Sequence, residues 1–252
     1  MTKLAIEQRV ATEVEAYQRY IQSIISIHRN CSEPCDWTEI NNTGSTTDGE
    51  LEQIAAGVIA GEVPAFKQAL GELNPFAEMK EVGRTVQMSF NQRYVNATIR
   101  LYDQDRVPRY TKSLLKTGAE STRPAPEGVI NEIYQKHVCS CVLRAARELF
   151  AVLPFQKVFV QGTVDLLNHQ TGNKETRVIV SVLIPRGTLE VLISQHSTQS
   201  IVCGISSTER NFRNHGDSLP SIRSIRENSK RRRCQGRTSN QALKSVGHPA
   251  ML

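Results

Sequence analysis

The first regular pattern of hydrophobic and polar residues along this chain has the period of a helix. A helix is predicted over residues 3–28, because apolar side chains recur there at steps of four and three: Val10, Val14, Tyr17, Ile21 and Ile24. The same spacing is that of a coiled coil, but two heptads fall short of the three or four that define one. We therefore expect the stripe to pack on the protein's own core. Self-association through this N-terminal helix is the alternative.

The next segment alternates between loops and short helices. Residues 29–49 are predicted to be a loop, because Pro, Gly, Asn, Ser and Thr dominate and no period survives. A helix is expected over 49–60 with Asp48 as its N-cap, and another over 64–73. Pro64 suits the first position of that second helix, where its missing N–H costs nothing.

Period-two alternation then predicts strands. Apolar and polar residues alternate over 86–90 and again over 95–101, which indicates an antiparallel hairpin with its turn at 91–93. Residues 110–115 are predicted to form a short strand, and 116–127 a loop rich in Gly, Ser, Thr and Pro.

The longest periodic segment runs from residue 126 to residue 153 and predicts a helix that is buried on more than one side. Pro154 ends it. A second hairpin is predicted from strands 156–166 and 176–185, followed by a short helix. Since the strand 176–185 is apolar on both faces, we expect it to lie inside a sheet.

These elements predict an α+β fold: an antiparallel sheet of two hairpins packed on a long central helix, preceded by N-terminal helices. The expected organisation is an N-terminal helix and loop over 1–45, an α+β domain over 46–200, and a disordered basic tail over 201–252.

Charge separates the tail from the rest. Of 31 Lys and Arg and 25 Asp and Glu, ten and three lie after residue 206, so the preceding part is nearly neutral. The tail contains one basic run: Lys230, Arg231, Arg232 and Arg233. It is interpreted either as a nucleic-acid-binding arm, through phosphate contacts, or as a solvated segment without structure.

A third interpretation is that the tail is read out of frame. The repeat at 221–226, Ser-Ile-Arg twice, can be encoded so that the shifted frame reads Ile-Asp-Pro twice. A frameshift between about residues 195 and 212 would produce such a tail, and the encoding DNA tests this hypothesis.

Composition limits the remaining classes. Apolar runs are too short to span a bilayer, and the N-terminus lacks the apolar centre of a secretory signal. A cytoplasmic protein without membrane association is therefore expected, and six cysteines are too sparse for a disulfide scaffold. P-loop, dinucleotide-binding, HExxH and GxSxG motifs are absent from the sequence, so no cofactor and no catalytic residue are predicted.

Three weak chemical candidates remain. His28, Cys31 and Cys35 are zinc-capable ligands, and a tetrahedral site would need a fourth, from His137 or Cys139. Free thiols are the favoured interpretation.

The other two candidates are catalytic. His137 and Cys141 are four apart on the long helix and could touch, but a thiol on an apolar stripe is expected to be buried and inert. Asp103, Asp105 and Asp165 could imitate a nuclease carboxylate cluster, although no Glu-x-Lys partner accompanies them. Solvated turn acids are the favoured interpretation.

Four short motifs carry a resemblance: IYQKHV at 133–138, LRAARELFAVLP at 143–154, Thr171-Gly172 and Ser181-Val182. Together they resemble a bacterial domain of unknown function, in which a long helix ending in FAxLP precedes a strand, a Thr-Gly turn and an SV strand. The resemblance covers about residues 128–190 and implies a shared fold. It implies no catalytic role, because the motifs consist of packing and turn residues.

The function predicted from sequence is therefore that of a non-enzymatic interaction module. The alternative is a nucleic-acid-associated protein, acting through the basic tail or through a degenerate nuclease-like fold.

Overall fold

A computed structural model describes residues 3–43, 49–77, 83–91, 94–168 and 170–194. Its elements in chain order are α1 (Lys3–Ile25), α2 (Trp37–Thr43), α3 (Gly49–Ala60), α4 (Val63–Leu73), β1 (Gly83–Phe90), β2 (Val95–Leu101), β3 (Tyr110–Leu114), β4 (Glu120–Pro124), α5 (Glu127–Val152), β5 (Lys157–Leu167), β6 (Lys174–Pro185) and α6 (Arg186–Ser194). Two short 3-10 turns, Ile27–Arg29 and Gln104–Arg106, follow α1 and β2. The predicted α+β class is confirmed.

The main sheet has four strands in the order β1-β2-β5-β6. Both predicted hairpins are present, β1 with β2 and β5 with β6, each antiparallel. The expectation of a wholly antiparallel sheet is wrong, because β2 and β5 pair in parallel and the sheet is mixed. Parallel neighbours need a long crossover connection, and the segment that contains α5 provides it.

The helix α5 packs against one face of this sheet and forms the centre of the core. Buried side chains of β2 and β5, such as Ile99 and Val160, share one hydrophobic cluster with Leu149 of α5. Trp37 and Ile40 of α2 belong to the same cluster, as do residues of α3 and α4. The helices α2, α3 and α4 thus add to this core rather than form one of their own.

The stripe on α1 packs on the protein's own core, as expected. Val14 and Ile24 are buried, and Ile24 forms a small cluster with Val107 and Ile130. The Tyr17 hydroxyl donates a hydrogen bond to the carbonyl of Tyr110 in β3. The stripe is therefore engaged within the chain.

Two elements lie where a loop was predicted. The helix α2 falls within 29–49 and begins after Asp36, whose Oδ1 accepts hydrogen bonds from the backbone N–H groups of Thr38 and Glu39. Seven residues are too few to show a helical period, so this cap was the only local signal. The proposed cap Asp48 lies outside the described residues. The strand β4 falls within 116–127 and pairs with β3 to make a second, two-stranded sheet.

The position predicted for the last strand is also wrong. Within the described part of the chain, β6 lies at the edge of the main sheet rather than inside it. Its apolar residues on the helix side are buried, including Val182 and Ile184, whereas Leu183 on the other side is half-buried. The strand β6 is thus apolar on both faces, as interior strands are, although it lies at the edge of the main sheet.

Candidate functional site

A row of polar side chains runs along one face of α5 and binds the segment 24–37. We call it the α5 seam. Its members on the helix are His137, Ser140, Arg144 and Glu148, and all four are buried. Their spacing of three, four and four places them on one helical face, one turn above another. The segment 24–37 runs beside them in the same direction as the helix.

The first contact of the seam joins α5 to the end of α1. His137 is fully buried, and its Nδ1 lies 2.9 Å from the carbonyl oxygen of Ile24. Because a carbonyl only accepts, Nδ1 carries the proton and Nε2 is the bare nitrogen. The thiol sulfur of Cys141 lies 3.7 Å from that Nε2. A neutral imidazole with its proton on Nδ1 therefore satisfies the contacts of this buried ring.

The second contact fixes the 3-10 turn Ile27–Arg29. Ser140 Oγ accepts a hydrogen bond from the backbone N–H of His28 at 3.0 Å and lies 2.9 Å from Nδ1 of the same residue. The serine hydroxyl can donate to a neutral Nδ1, which makes a reciprocal pair. Arg147 Nη1 donates to the carbonyl of His28 at 2.5 Å.

The third contact is a buried ion pair. Arg144 Nε lies 2.6 Å from Glu148 Oε1, and the two side chains are 8% and 0% exposed. The same Oε1 accepts a hydrogen bond from the backbone N–H of Ser32. Glu148 Oε2 has no hydrogen-bond partner among the described residues. The pair is held by charge attraction in a site that water scarcely reaches.

The last contacts of the segment cap the carboxyl end of α5. A helix leaves its last four carbonyls without internal partners, and Pro154 cannot supply an N–H. The backbone N–H of Cys35 donates to Ala151 O at 2.8 Å, and Trp37 Nε1 donates to Val152 O at 2.6 Å. Arg186 of α6 donates to Leu153 O at 2.8 Å. Donors that are distant in sequence from the end of α5 therefore cap its C-terminus.

The zinc candidates lie on this segment without forming a metal site. His28 is engaged with Ser140, Cys31 is half-buried near Arg147, and Cys35 packs against the core. Within the described ranges there is no group of three or more His, Cys, Asp or Glu side chains that could hold a metal ion. Burial raises the pKa of both thiols, which disfavours the thiolate that zinc needs.

The pair His137 and Cys141 is in contact but is not arranged as a nucleophile and base. Cys141 is fully buried, and burial raises the pKa of its thiol far above the ordinary value. Burial also lowers the pKa of His137. Both groups are therefore neutral, and neither reaches a surface from which a substrate could approach.

The three candidate carboxylates are engaged separately. Asp103 caps the 3-10 turn by accepting from the N–H of Asp105, and Asp105 itself pairs with Arg109. Asp165 lies on the main sheet, where Arg100 forms an ion pair with its Oδ2 and Thr176 donates to its Oδ1. The nuclease-like cluster does not form among these residues.

A second feature is the outer edge of β6, beside which no other strand of the described residues lies. Its pairing with β5 shifts register next to Gly162, where Ile179 is the extra residue. From Val180 to Pro185 the strand is regular and carries no charge. Native edge strands are normally protected by charges, by proline or by shortness, and this stretch has only its terminal proline.

Known proteins offer no guide to either feature: no protein-family model, no curated protein and no solved structure matches this chain. The resemblance to a bacterial domain of unknown function stays a prediction. In the described part of the chain, no helix has an apolar stretch long enough to cross a membrane. The basic run Lys230, Arg231, Arg232 and Arg233 lies outside the described residues.

The α5 seam was not predicted, although the sequence contains a signal for it. Ser140, Arg144 and Glu148 recur every four residues inside a helix that is otherwise apolar on several sides. Polar residues at helical spacing within a buried helix must find partners, because an unpaired buried charge is very costly. The partners could not be predicted, because they come from residues more than 100 positions earlier.

Proposed function

We propose that this chain is a non-enzymatic interaction module that self-associates through the edge of β6. The observation that carries the proposal is the uncharged stretch 180–185 at the edge of the main sheet. Main-chain N–H and C=O groups of an edge strand can pair with another strand, and apolar side chains on both faces make that addition favourable.

A second copy of the same strand fits this edge. In a two-fold antiparallel pairing centred on Val182, residue 180 lies opposite residue 184 of the second copy, and residue 181 lies opposite residue 183. This register keeps the buried faces of both sheets on the same side. It also places no charge opposite a like charge, because the nearest charged residues, Arg177 and Arg186, fall outside the central pairs.

The surface predicted earlier for self-association, the stripe on α1, is the weaker candidate because it packs inside the protein. The opposite edge of the main sheet, β1, is also less suitable. Its outward residues Thr85, Gln87 and Ser89 are polar and exposed.

The proposal is tested by Ser181→Lys in the full chain, because a lysine at the centre of an edge strand opposes strand addition. The matched control is Ser89→Lys on β1. Sedimentation velocity over a concentration series should show the wild-type chain and the control as dimers and Ser181→Lys as a monomer. A monomeric wild-type chain at its highest soluble concentration, or equal dimerisation of both variants, would refute the proposal.

The second candidate, a nucleic-acid-associated protein, is supported only by the charge of the basic tail. Its test is the salt dependence of duplex DNA binding by the full chain and by a variant with Lys230, Arg231, Arg232 and Arg233 changed to Gln. Specific association predicts tight binding that survives these changes. Binding that disappears with them indicates attraction by charge alone.

A further inference from the structure

Two buried histidines hold the beginning of the α5 seam together. His137 binds the last turn of α1 through Ile24 O, and His28 binds α5 through Ser140. Both bonds cross between the same two parts of the molecule: the α1 end with its 3-10 turn, and the helix α5. The contacts further along, at Glu148, Ala151 and Val152, contain no histidine.

The surroundings of both rings disfavour a positive charge. Burial is the main cause that lowers the pKa of His28, and Arg29 and Arg147 add to it. Burial is again the main cause for His137, where Arg106 adds to it and the hydrogen bond to Ile24 opposes it.

A nearby carboxylate would raise the pKa of a histidine, and none of the described carboxylates is a cause of the shift at either ring. Around His137, α5 contributes the neutral Tyr134 and Cys141, and the turn after β2 contributes Arg106. Around His28, α5 contributes Ser140 and Arg147.

We infer that His28 and His137 form an acid-sensitive latch, which releases the segment 24–32 from α5 when the pH falls. Protonation of His28 turns Nδ1 into a donor, so the Ser140 hydroxyl loses its acceptor on the ring, and a positive charge is placed near Arg29 and Arg147. Protonation of His137 places a proton on Nε2 inside a fully buried site, where the Cys141 sulfur is a weak acceptor. Opening the segment allows both rings to bind protons in water.

The direction of the effect follows from linkage. A released histidine titrates near its ordinary pKa of 6.5, whereas the latched form has a lower pKa. The latch is therefore fully stable above that ordinary value, and its stability falls as the pH drops from there toward the pKa of the latched form. Release uncovers the face of α5 that carries Ser140, Arg144 and Glu148.

Hydrogen exchange of the full chain, followed by mass spectrometry and normalised for intrinsic exchange, tests this latch. Between about pH 7.5 and about pH 5.5, the protection of residues 24–32 should fall more than that of β5, by up to about ten-fold for each histidine, because a released ring with the ordinary pKa is about ten-fold more protonated than neutral at pH 5.5. The informative variant combines His28→Asn with His137→Asn, because an asparagine amide can replace Nδ1 in both bonds but does not titrate. The control is His196→Asn, which removes a histidine that takes part in neither bond.

The latch predicts that the double variant loses the extra pH dependence and that the control keeps it. An unchanged pH dependence in the double variant would overturn the inference. If the double variant fails to fold, the histidine NMR titration of the wild-type chain decides. Ordinary pKa values for His28 and His137 in the folded chain contradict the latch, and depressed values support it.

Discussion

Arg144 and Glu148 form an ion pair one turn apart on α5, with 2.6 Å between Nε and Oε1 and almost no exposure to solvent. Removing two charges from water is costly, and the attraction between them offsets that cost. Losing one member leaves the other as an uncompensated buried charge, which destabilises the fold. The pair also fixes where the segment 24–37 lies, because the same carboxylate binds the backbone of Ser32.

Breaking this pair should be severe. Glu148→Gln leaves the Arg144 guanidinium buried without a counter-charge and is expected to lower the free energy of unfolding by about 3–5 kcal/mol. Urea denaturation followed by circular dichroism measures the change. The double variant Arg144→Met with Glu148→Leu removes both charges and should be less destabilised than Glu148→Gln.

The matched control for that series is Glu132→Gln on the same helix. Glu132 pairs with Lys136 at 2.6 Å with the same spacing, but its side chain is 61% exposed. Its loss should cost at most about 0.5 kcal/mol. Equal effects of Glu148→Gln and Glu132→Gln would contradict the burial of the inner pair.

Trp37 offers a test of the unusual helix cap. Trp37→Phe keeps an aromatic ring but deletes the hydrogen bond to Val152 O, and it should lower the free energy of unfolding by about 1–3 kcal/mol because a buried carbonyl loses its donor. Tyr20→Phe is the control, since it deletes a hydroxyl that donates to Arg106 O at an exposed position, where water replaces it. Urea denaturation that showed equal losses for both variants would refute the capping role.

The elements that the sequence predicted well are those with a long local period. The helix α5 and the two hairpins were predicted nearly to their bounds, because their apolar residues repeat over many positions. The helix α2 and the strand β4 were missed, since seven and five residues are too few to establish a period.

The two wrong predictions about the main sheet, an interior β6 and a wholly antiparallel pairing, have a different cause. The apolar pattern of β6 reflects how much of each face is covered, and it cannot show whether a second strand lies beside it. The parallel pairing of β2 with β5 likewise depends on how the chain crosses the sheet between residues 101 and 157. The seam depends on partners so distant that no local pattern could identify them. Local physics thus predicted the elements, and non-local contacts determined their arrangement.

The four cysteines in the described part of the chain should divide into two classes of reactivity. Cys31 and Cys35 are half-buried, whereas Cys139 and Cys141 are buried in α5. Alkylation of the native chain at mildly alkaline pH, followed by peptide mass spectrometry, should label the first pair slowly and the second pair only after global unfolding. Rapid native labelling of Cys141 would show that α5 is not enclosed as described.

The pKa of Cys141 also predicts an alkaline limit. Burial raises the pKa of this thiol above its ordinary value of 9.0, so the folded chain keeps the proton that the unfolded chain releases. Its contribution to stability is complete below that ordinary value and is lost as the pH rises above it. Urea denaturation at a series of alkaline pH values should show this loss for the wild-type chain, and Cys141→Ala should reduce it.

Two glycines should respond to alanine in opposite directions. A Cβ at Gly162 in β5 would lie 2.6 Å from Val180 Cγ1 and 2.7 Å from Leu101 Cδ1, closer than packed carbon atoms approach. Gly162→Ala should therefore lower the free energy of unfolding by about 1–3 kcal/mol through overpacking of the core. Gly71 lies inside α4 with nothing near its missing Cβ, so Gly71→Ala should raise stability by about 0.5–1 kcal/mol. Urea denaturation of both variants measures the two effects, and a stable Gly162→Ala would show that β2, β5 and β6 do not pack together as closely as these distances require.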